Sequence, residues 1–342
     1  MKLFINEFLA KNRTNLFAAL MVAAIFAIPV LGLIWLTSVP GSSYRGALPE
    51  LSSGENLVSR NLANHVSTIG AKPHNIEHLG NLNAAASYIE SELRSLGYDV
   101  VEQPFEVDGT IVKNIEVVID PAESDAQTLV LGAHYDSYGR APGANDNGSG
   151  AAAALELARL LKNLDGKSRL RIRIAFFVNE EPPYFKTADM GSAVYAKALA
   201  ATDENVMGMM SLETMGYYSD RAGSQKYPFP LNLLYPNQGN FIAFVGDTSA
   251  RSFVRKTIED FRHTTKFPSE GGSAPASLQG IDWSDHRSFS ALGIPAFMVT
   301  DTAAFRYPHY HARTDTPDKV DAEKLARVVS GLSGIVRAWS QP

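Results

Sequence analysis

The sequence predicts an α/β fold with a mostly parallel (mixed) central sheet sandwiched between helices, preceded by one N-terminal transmembrane helix. Apolar strand-like runs alternate along the chain with segments of helical periodicity, which is typical of such a sheet. The run 169–178 becomes wholly apolar toward its end, as a central strand does. The stretch 16–36 has no charged residue and is long enough to cross a bilayer.

Composition limits the classes of protein that the chain can belong to. With 342 residues, 45% of them hydrophobic, it can form one large domain or two small ones. A formal net charge of −5 argues against nucleic acid as a partner. The chain has no cysteine, so any zinc must be held by His, Asp and Glu.

The N-terminal apolar stretch LFAALMVAAIFAIPVLGLIWL favours a membrane anchor over a cleaved signal peptide. Its 21 residues span about 31 Å as a helix at about 1.5 Å per residue. A signal peptide has a shorter apolar core of about 7–15 residues, and the following TSVPG is a poor cleavage site. Secretion after signal cleavage is the alternative. We therefore predict that residues 16–36 contact the lipid bilayer.

Charge bias predicts the orientation of this anchor. Lys2, Lys11 and Arg13 precede the apolar stretch, and the positive-inside rule then keeps residues 1–15 in the cytoplasm. The remainder of the chain lies on the periplasmic or extracytoplasmic side, as a single-pass protein. The Gly, Ser and Pro content of residues 37–52 predicts a linker, which leaves residues 53–342 for one domain.

Periodicity predicts the elements of that domain in order. Apolar residues repeat at helical spacing from Val58 to Ile69 and from Leu82 to Leu93. About six core strands follow, interleaved with three further helices. The region 217–280, rich in Gly, Pro and Ser, is predicted to be long loops around one strand and one helix. The predicted strand segments, of which the first two are short strands before the opening core strand at 128–133, lie near 98–107, 112–119, 128–133, 169–178, 206–212, 241–245 and 294–300, and the later helices lie near 188–201, 249–262 and 321–338.

Acidic and imidazole groups stand where several of these strands end. Open α/β sheets build their sites in the crevice at the carboxyl ends of the strands. Each cluster alone is a weak signal, because adjacent Glu residues at a strand end are usually solvated. All four clusters together, in this order along the chain, are a much more specific signal than any one of them. The clusters are His134 with Asp146, Glu180 with Glu181, Glu213, and the late run 306–316.

These motifs resemble the co-catalytic zinc aminopeptidase family. The segments HYDS…GANDNGSG, NEEPPYF, SLETMGYY, SDHRSF and YHARTDT carry the resemblance, which spans about residues 55–338. The wider clan includes glutamate carboxypeptidase, the transferrin receptor ectodomain and glutaminyl cyclase. The resemblance implies a zinc-aminopeptidase-like fold over nearly all of the predicted domain.

The resemblance also implies a site for two zinc ions. A bridging carboxylate is what two closely spaced metals need. Many family members have Asp where this chain has Glu213, so the oxygen ligand is kept on a side chain longer by one methylene. The implied ligands are His134 and Glu213 for one ion, Glu181 and His311 for the other, and Asp146 as the bridge.

Four further residues have implied or expected roles around the metals. Glu180 matches the family's general base. This base takes a proton from the water that becomes the metal-bridging hydroxide, and it returns that proton to the leaving amine. Tyr310 matches a tyrosine that stabilises the oxyanion, with an apolar packing role as the alternative. Asp136 is expected to orient the His134 imidazole, unless it is an exposed loop residue. Asp285 is expected to be a supporting carboxylate.

The predicted function is a zinc-dependent aminopeptidase that hydrolyses N-terminal residues of peptides with a free N-terminus. The main alternative is a glutaminyl-peptide cyclotransferase, which on this fold typically keeps one zinc held by Asp, Glu and His. A receptor-like binding module would lack ligands or the base, and none is missing. A carboxypeptidase-type relative usually carries added domains, for which the exported residues leave little room.

Overall fold

The computed structural model describes the backbone of residues 2–341 and the side chains of residues 15–341 apart from Ala19. The chain divides into two compact units, residues 1–38 and residues 39–342. The charged side chains before the apolar stretch, on which the predicted orientation depends, lie outside the described residues: Lys2, Lys11 and Arg13.

The first unit is a single helix, α1 (Lys2–Thr37). Its part from Asn15 to Thr37 is 23 residues long and apolar enough to cross a membrane, and none of the described side chains in its most apolar stretch is buried. Large apolar side chains such as Phe17 and Phe26 are therefore exposed along it. A membrane anchor and a signal sequence both fit these properties.

The second unit is built around a mixed sheet, as predicted. Its described residues form eight strands in the order β1-β2-β4-β3-β5-β8-β6-β7. The four central strands β4, β3, β5 and β8 are parallel, whereas β2 and β6 pair with them antiparallel. The strands are β1 (Val101–Val107), β2 (Thr110–Ile119), β3 (Gln127–His134), β4 (Leu170–Phe177), β5 (Val206–Glu213), β6 (Ile242–Asp247), β7 (Ser269–Ala274) and β8 (Ala296–Thr300).

Helices cover both faces of this sheet, which explains why the central strands are apolar on both sides. One face packs against α2, α3, α4, α6 and α9, and the other packs against α5 and α7. The helices are α2 (Ser53–Ile69), α3 (Leu79–Ser95), α4 (Gly148–Leu161), α5 (Gly191–Ala200), α6 (Arg251–Thr264), α7 (His286–Ser290), α8 (Ala303–Arg306) and α9 (Ala322–Trp339).

Helix α4 lies close to β5 because small residues form its first turns. A Cβ on Gly150 would lie 2.1 Å from the Leu212 carbonyl oxygen, so only glycine allows this approach. The Asn147 side chain caps the helix by accepting a hydrogen bond from the Gly150 amide, and it also accepts one from the Thr214 amide. The loop after β3 is thereby fixed against the end of β5.

Two parts of the domain differ from the sequence prediction. Strand β7 falls within the region predicted as loops around one strand, because its sequence SEGGSA lacks the branched and aromatic residues that indicate a strand. It forms at the edge of the sheet, paired with β6. The segment predicted as a linker packs on the domain from Val39 onward, and both Val39 and Leu48 contact the core.

Candidate metal centre

The parallel strands bring the predicted site residues together at the carboxyl ends of the central strands. His134 is the last residue of β3, and Glu213 is the last residue of β5. Glu180 and Glu181 follow closely after the end of β4, which lies on the other side of β3. Because these strands are parallel neighbours, their carboxyl ends meet, and the side chains converge as the sequence predicted.

One group of three possible ligands consists of His134, Asp146 and Glu213. The His134 Nε2 atom lies 3.3 Å from Glu213 Oε2 and 3.6 Å from Asp146 Oδ1. All three side chains are buried. Imidazole nitrogen and carboxylate oxygen facing one point are the donor set that zinc prefers.

A second group of three consists of Asp146, Glu181 and His311. The His311 Nε2 atom lies 3.2 Å from Asp146 Oδ2 and 3.4 Å from Glu181 Oε2. Asp146 therefore directs Oδ1 toward the first group and Oδ2 toward the second. In each group the possible ligand atoms lie within 4.8 Å of one another.

Buried polar atoms without hydrogen-bond partners indicate whether a cation fits between these ligands. Among the described residues, His134 Nε2, Asp146 Oδ2 and Glu181 Oε1 are fully buried and have no hydrogen-bond partner. Buried polar atoms are almost always paired, and leaving one unpaired costs about 1–3 kcal/mol. All three belong to residues of the two groups, so cations bound by these groups would compensate the buried atoms.

The charge of the cluster leads to the same conclusion. Burial first, then the neighbouring Glu181, Glu213 and Asp285 carboxylates, raise the pKa of Glu180 well above its usual range, although His134 opposes this. Burial and Asp146 raise the pKa of Glu181 to about 8. Without a cation these carboxyl groups retain protons, because so many negative charges cannot be buried together. Bound divalent cations remove this penalty.

The loop segments that present these groups have unusual backbone conformations. Asn179, Thr214 and His311 have φ values of 59°, 40° and 55°, in the left-handed region that favours glycine. Asn179 directly precedes Glu180, and Thr214 directly follows Glu213. Each of these residues is thus a candidate ligand, or directly adjoins a candidate ligand or the predicted general base, and the surrounding packing maintains the conformation.

Asp136 is buried near His134, but its carboxylate has a different main role from the predicted one. The His134 Nδ1 atom contacts the Asp136 backbone carbonyl at 3.1 Å, whereas the Asp136 carboxylate is 3.5 Å away. That carboxylate accepts hydrogen bonds from the amides of Glu180 and Glu181, at 3.1 and 3.2 Å. Asp136 therefore orients the imidazole mainly through its backbone and fixes the Glu180–Glu181 turn through its side chain. The alternative of an exposed loop residue is wrong.

Asp285 lies at the start of α7 and is fully buried. Burial, with Glu213 and Asp136 adding to it and His134 opposing, raises its pKa to about 7. The neighbouring Ser284 has the direct contact, since its hydroxyl donates to Glu213 Oε2 at 2.8 Å. Ser284 was not singled out from the sequence, although it lies within the SDHRSF motif.

Two tyrosines enclose the His311 imidazole. The Tyr310 ring stacks on it with centroids 3.9 Å apart, and the Tyr138 ring stacks on it at 4.0 Å and nearly parallel. Burial, with Asp146 and other carboxylates adding to it, raises the pKa of the Tyr310 hydroxyl, so this group remains a proton donor. Sequence reasoning missed Tyr138, because nothing in the sequence links it to a histidine so far along the chain.

Two further carboxylates hold the loop that carries Asp146. The Asp315 side chain accepts hydrogen bonds from the amides of Asn145 and Asp146, at 2.9 and 3.1 Å. The Asp301 side chain accepts from the Asn145 side chain at 2.9 Å. Sequence reasoning gave neither a role. Asp301 directly follows β8, which is the signal that identified Glu213 and could also have found it.

Comparison with known proteins now identifies the family. Residues 114–336 match the model of peptidase family M28. The chain belongs to peptidase family M28. It is 35% identical to the uncharacterised protein YfbL of Escherichia coli K12, over 92% of this chain and 96% of that one. It is 28% identical to a probable zinc metalloprotease of Pyrenophora tritici-repentis, over 88% of this chain and 69% of that one.

Solved structures confirm the predicted zinc-aminopeptidase-like fold of this M28 chain. The zinc aminopeptidase BSAP of Bacillus subtilis superposes with a TM-score of 0.66 at 15% identity, over 86% of this chain and 97% of that one. A glutaminyl cyclase of Bacteroides thetaiotaomicron superposes with a TM-score of 0.61 at 19% identity, over 86% of this chain and 100% of that one. Together with the family, the named relatives support a metallopeptidase that uses zinc.

Removal of metal is expected to destabilise this protein, and to do so more strongly as pH rises. In the metal-free fold the pKa of Glu181 is about 8 and that of Asp285 about 7, above the values of unfolded carboxyl groups. Stability from these retained protons is fully present below about pH 4 and is lost as pH rises through about 7–8. Bound metal instead favours the deprotonated ligands.

The measurement is the Tm of the full-length protein, zinc-loaded and after chelation, at about pH 5.5 and about pH 8.5. The difference between the two Tm values should be larger at the higher pH. Zinc at about 100 times its Kd contributes about 2.7 kcal/mol per site, and adding zinc back should restore the Tm. If the difference between the zinc-loaded and metal-free Tm shrinks or stays the same as pH rises, the proposed binding of metal by these carboxylates is contradicted.

Proposed function

We propose that this M28 chain is an aminopeptidase that works with two zinc ions. The supporting observation is the position of Asp146, which directs one carboxylate oxygen to His134 and Glu213 and the other to Glu181 and His311. A carboxylate shared in this way is what a pair of ions about 3.5–4 Å apart requires. When bound, the zinc ions would polarise the substrate carbonyl and lower the pKa of a coordinated water.

Glu180 is the proposed general base. Its Oε2 lies 3.8 Å from His134 Nε2, beside both groups of ligands but belonging to neither. The side chain is thereby free to accept a proton from water and to return it to the leaving amine. Asp136 binds the Glu180 amide and so fixes where the carboxylate stands.

Tyr310 and the acidic groups complete the proposed mechanism. The hydroxyl of the half-buried Tyr310, whose ring stacks on His311, is the proposed donor to the oxyanion that forms on the substrate carbonyl. A substrate with a free N-terminus brings a positive α-amine into the site. Glu180 and Glu213 supply negative charge that would attract this amine, which favours removal of N-terminal residues over cleavage inside a chain.

A glutaminyl cyclase is the second candidate, because such enzymes share this fold. One group of Asp, Glu and His suffices for a cyclase with a single zinc, and Asp146, Glu181 and His311 form such a group. Cyclisation with a single zinc would leave the first group, which adds His134 and Glu213, without a role. The pair His134–Glu213 therefore favours hydrolysis.

Replacing Glu180 separates the base from the metal ligands. Glu180→Gln should still bind two zinc ions per chain, because no ligand is lost, while kcat falls about 10²–10⁴-fold. Metal content by elemental analysis and peptide turnover are measured on the same preparation. The exposed Glu123→Gln is the matched control and should leave both unchanged. Near-normal turnover in Glu180→Gln would show that another group is the base.

Substrate choice separates hydrolysis from cyclisation. The full-length protein with zinc is incubated with two unblocked peptides, one beginning with Leu and one with Gln, and with an acetylated copy of the Leu peptide. Mass spectrometry should show release of the N-terminal residue from the unblocked Leu peptide and none from the acetylated copy. Loss of ammonia from the Gln peptide, with the Leu peptide intact, would favour the cyclase.

We also propose that α1 anchors the protein in a membrane with the peptidase domain on the periplasmic or extracytoplasmic side. The charge-free stretch from Asn15 to Thr37 is long enough to span. Basic residues precede it, and this bias sets the orientation. The proposed organisation is a cytoplasmic segment 1–15, an anchor 16–36 and a peptidase domain beyond it.

The absence of cysteine makes the orientation directly measurable. Ile111→Cys, at a position that is 61% exposed on β2, should react with a membrane-impermeant maleimide in intact cells whose outer membrane has been removed. Asn6→Cys, within the predicted cytoplasmic segment, should react only after permeabilisation. Both cysteine variants should be found at full length in the membrane fraction. The reverse labelling pattern would place the peptidase domain in the cytoplasm.

A further inference from the structure

One loop of the peptidase domain displays large apolar side chains to solvent. Within residues 226–235, here called the apolar loop, Phe229 is 78% exposed, Leu233 is 71% exposed and Leu234 is 45% exposed. Single exposed apolar residues are ordinary, but a cluster of this kind marks an interaction surface. The metal centre does not use these side chains.

The base of the apolar loop is held on the domain, so the exposure belongs to a defined conformation. The Tyr235 hydroxyl donates to the Gly271 carbonyl of β7 at 2.9 Å. The Tyr227 hydroxyl donates to the Pro236 carbonyl at 2.8 Å, and the Tyr227 and Tyr235 rings stack 5.6 Å apart. The apolar side chains thus project from a base that is fixed to the edge strand of the sheet.

The chain enters the domain at the same edge strand. Pro40 and Gly41, which follow closely after the end of α1, accept hydrogen bonds from the Arg262 guanidinium through their backbone carbonyls. Ser43 accepts one from the Ser269 amide at the start of β7, at 3.0 Å. The position of the first residues after α1 is therefore defined relative to β7.

These contacts place the base of the apolar loop near the point where the chain enters the domain. Ser269 and Gly271 are separated by two residues on one strand, about 7 Å at about 3.3 Å per residue. If α1 lies in a bilayer, the surface of that bilayer is close to residues 38–43. The base of the apolar loop is bound to the same strand as the segment that leaves this bilayer, which makes its exposed side chains candidates for contact with the surface.

We propose that the apolar loop inserts into the surface of the bilayer that holds α1, so that the domain contacts the membrane at two points. The composition of the loop suits this position. Phe and Leu enter the acyl region, Tyr rings favour the interface, and the exposed Lys226 can pair with lipid phosphate. The tether keeps the loop at high effective concentration near the lipid, so even a small apolar contact is maintained. This inference rests on the proposed anchoring by α1.

The test uses single cysteines in the full-length protein reconstituted into phosphatidylcholine vesicles. Phe229→Cys and Leu233→Cys are labelled with an environment-sensitive fluorophore, and vesicles with or without nitroxide-labelled acyl chains are compared. Ile111→Cys is the matched control, because Ile111 is exposed on β2, at the other end of the strand order from β7. Phe26→Cys within α1 reports separately on the anchor.

Labels at 229 and 233 should show blue-shifted emission and quenching by the nitroxide lipids, with little quenching at 111. Quenching at 26 together with an aqueous signal at 229 and 233 would overturn the loop proposal while the anchor stands. No quenching at any position would overturn both. A blue shift at 229 without lipid quenching would indicate a contact with another protein copy and would also overturn the proposal.

Discussion

The Asp146 carboxylate lies between two imidazoles from distant parts of the chain, His134 at the end of β3 and His311 in the loop after α8. Its position depends on backbone contacts rather than on its own side chain. Asp315 accepts hydrogen bonds from the amides of Asn145 and Asp146. A shift of this loop would separate the two groups of ligands, so the geometry of the whole centre depends on this one interaction.

The carboxylates around the centre fall into two kinds, and the difference explains what each does. Asp136 and Asp315 accept hydrogen bonds from backbone amides, which compensate the cost of burying their charge. Asp146 and Glu181 have buried oxygens without such a donor among the described residues. The first kind supports the site from the protein side. A cation would compensate the second kind at Asp146 and Glu181, which belong to the two groups of possible ligands, whereas Asp285 also has buried oxygens without a donor but belongs to neither group.

Most of the fold could be predicted from the sequence because its signals are local, whereas the roles of the proposed ligands came from the resemblance of their motifs to a known family. A central strand such as β4 is an unbroken apolar run, and a parallel strand presents its last residues at the edge of the sheet where sites form. His134 and Glu213 were singled out as site residues on this basis. Strand β7 was not, because two glycines and two serines form it and its pairing comes from β6 rather than from its own composition.

The sequence by itself determined which residue types stand at the ends of the strands, and it named the candidate ligands through motifs that resemble a known family. Only the tertiary structure decided how those residues are held, because their partners lie far away in sequence. Asp136 binds the Glu180 amide with its carboxylate, Tyr138 covers His311, and the segment after α1 packs on β7. Such contacts form when separate elements pack together, and no local pattern specifies them. The same physical reason makes the apolar loop visible only in the folded domain, where its burial or exposure is first defined.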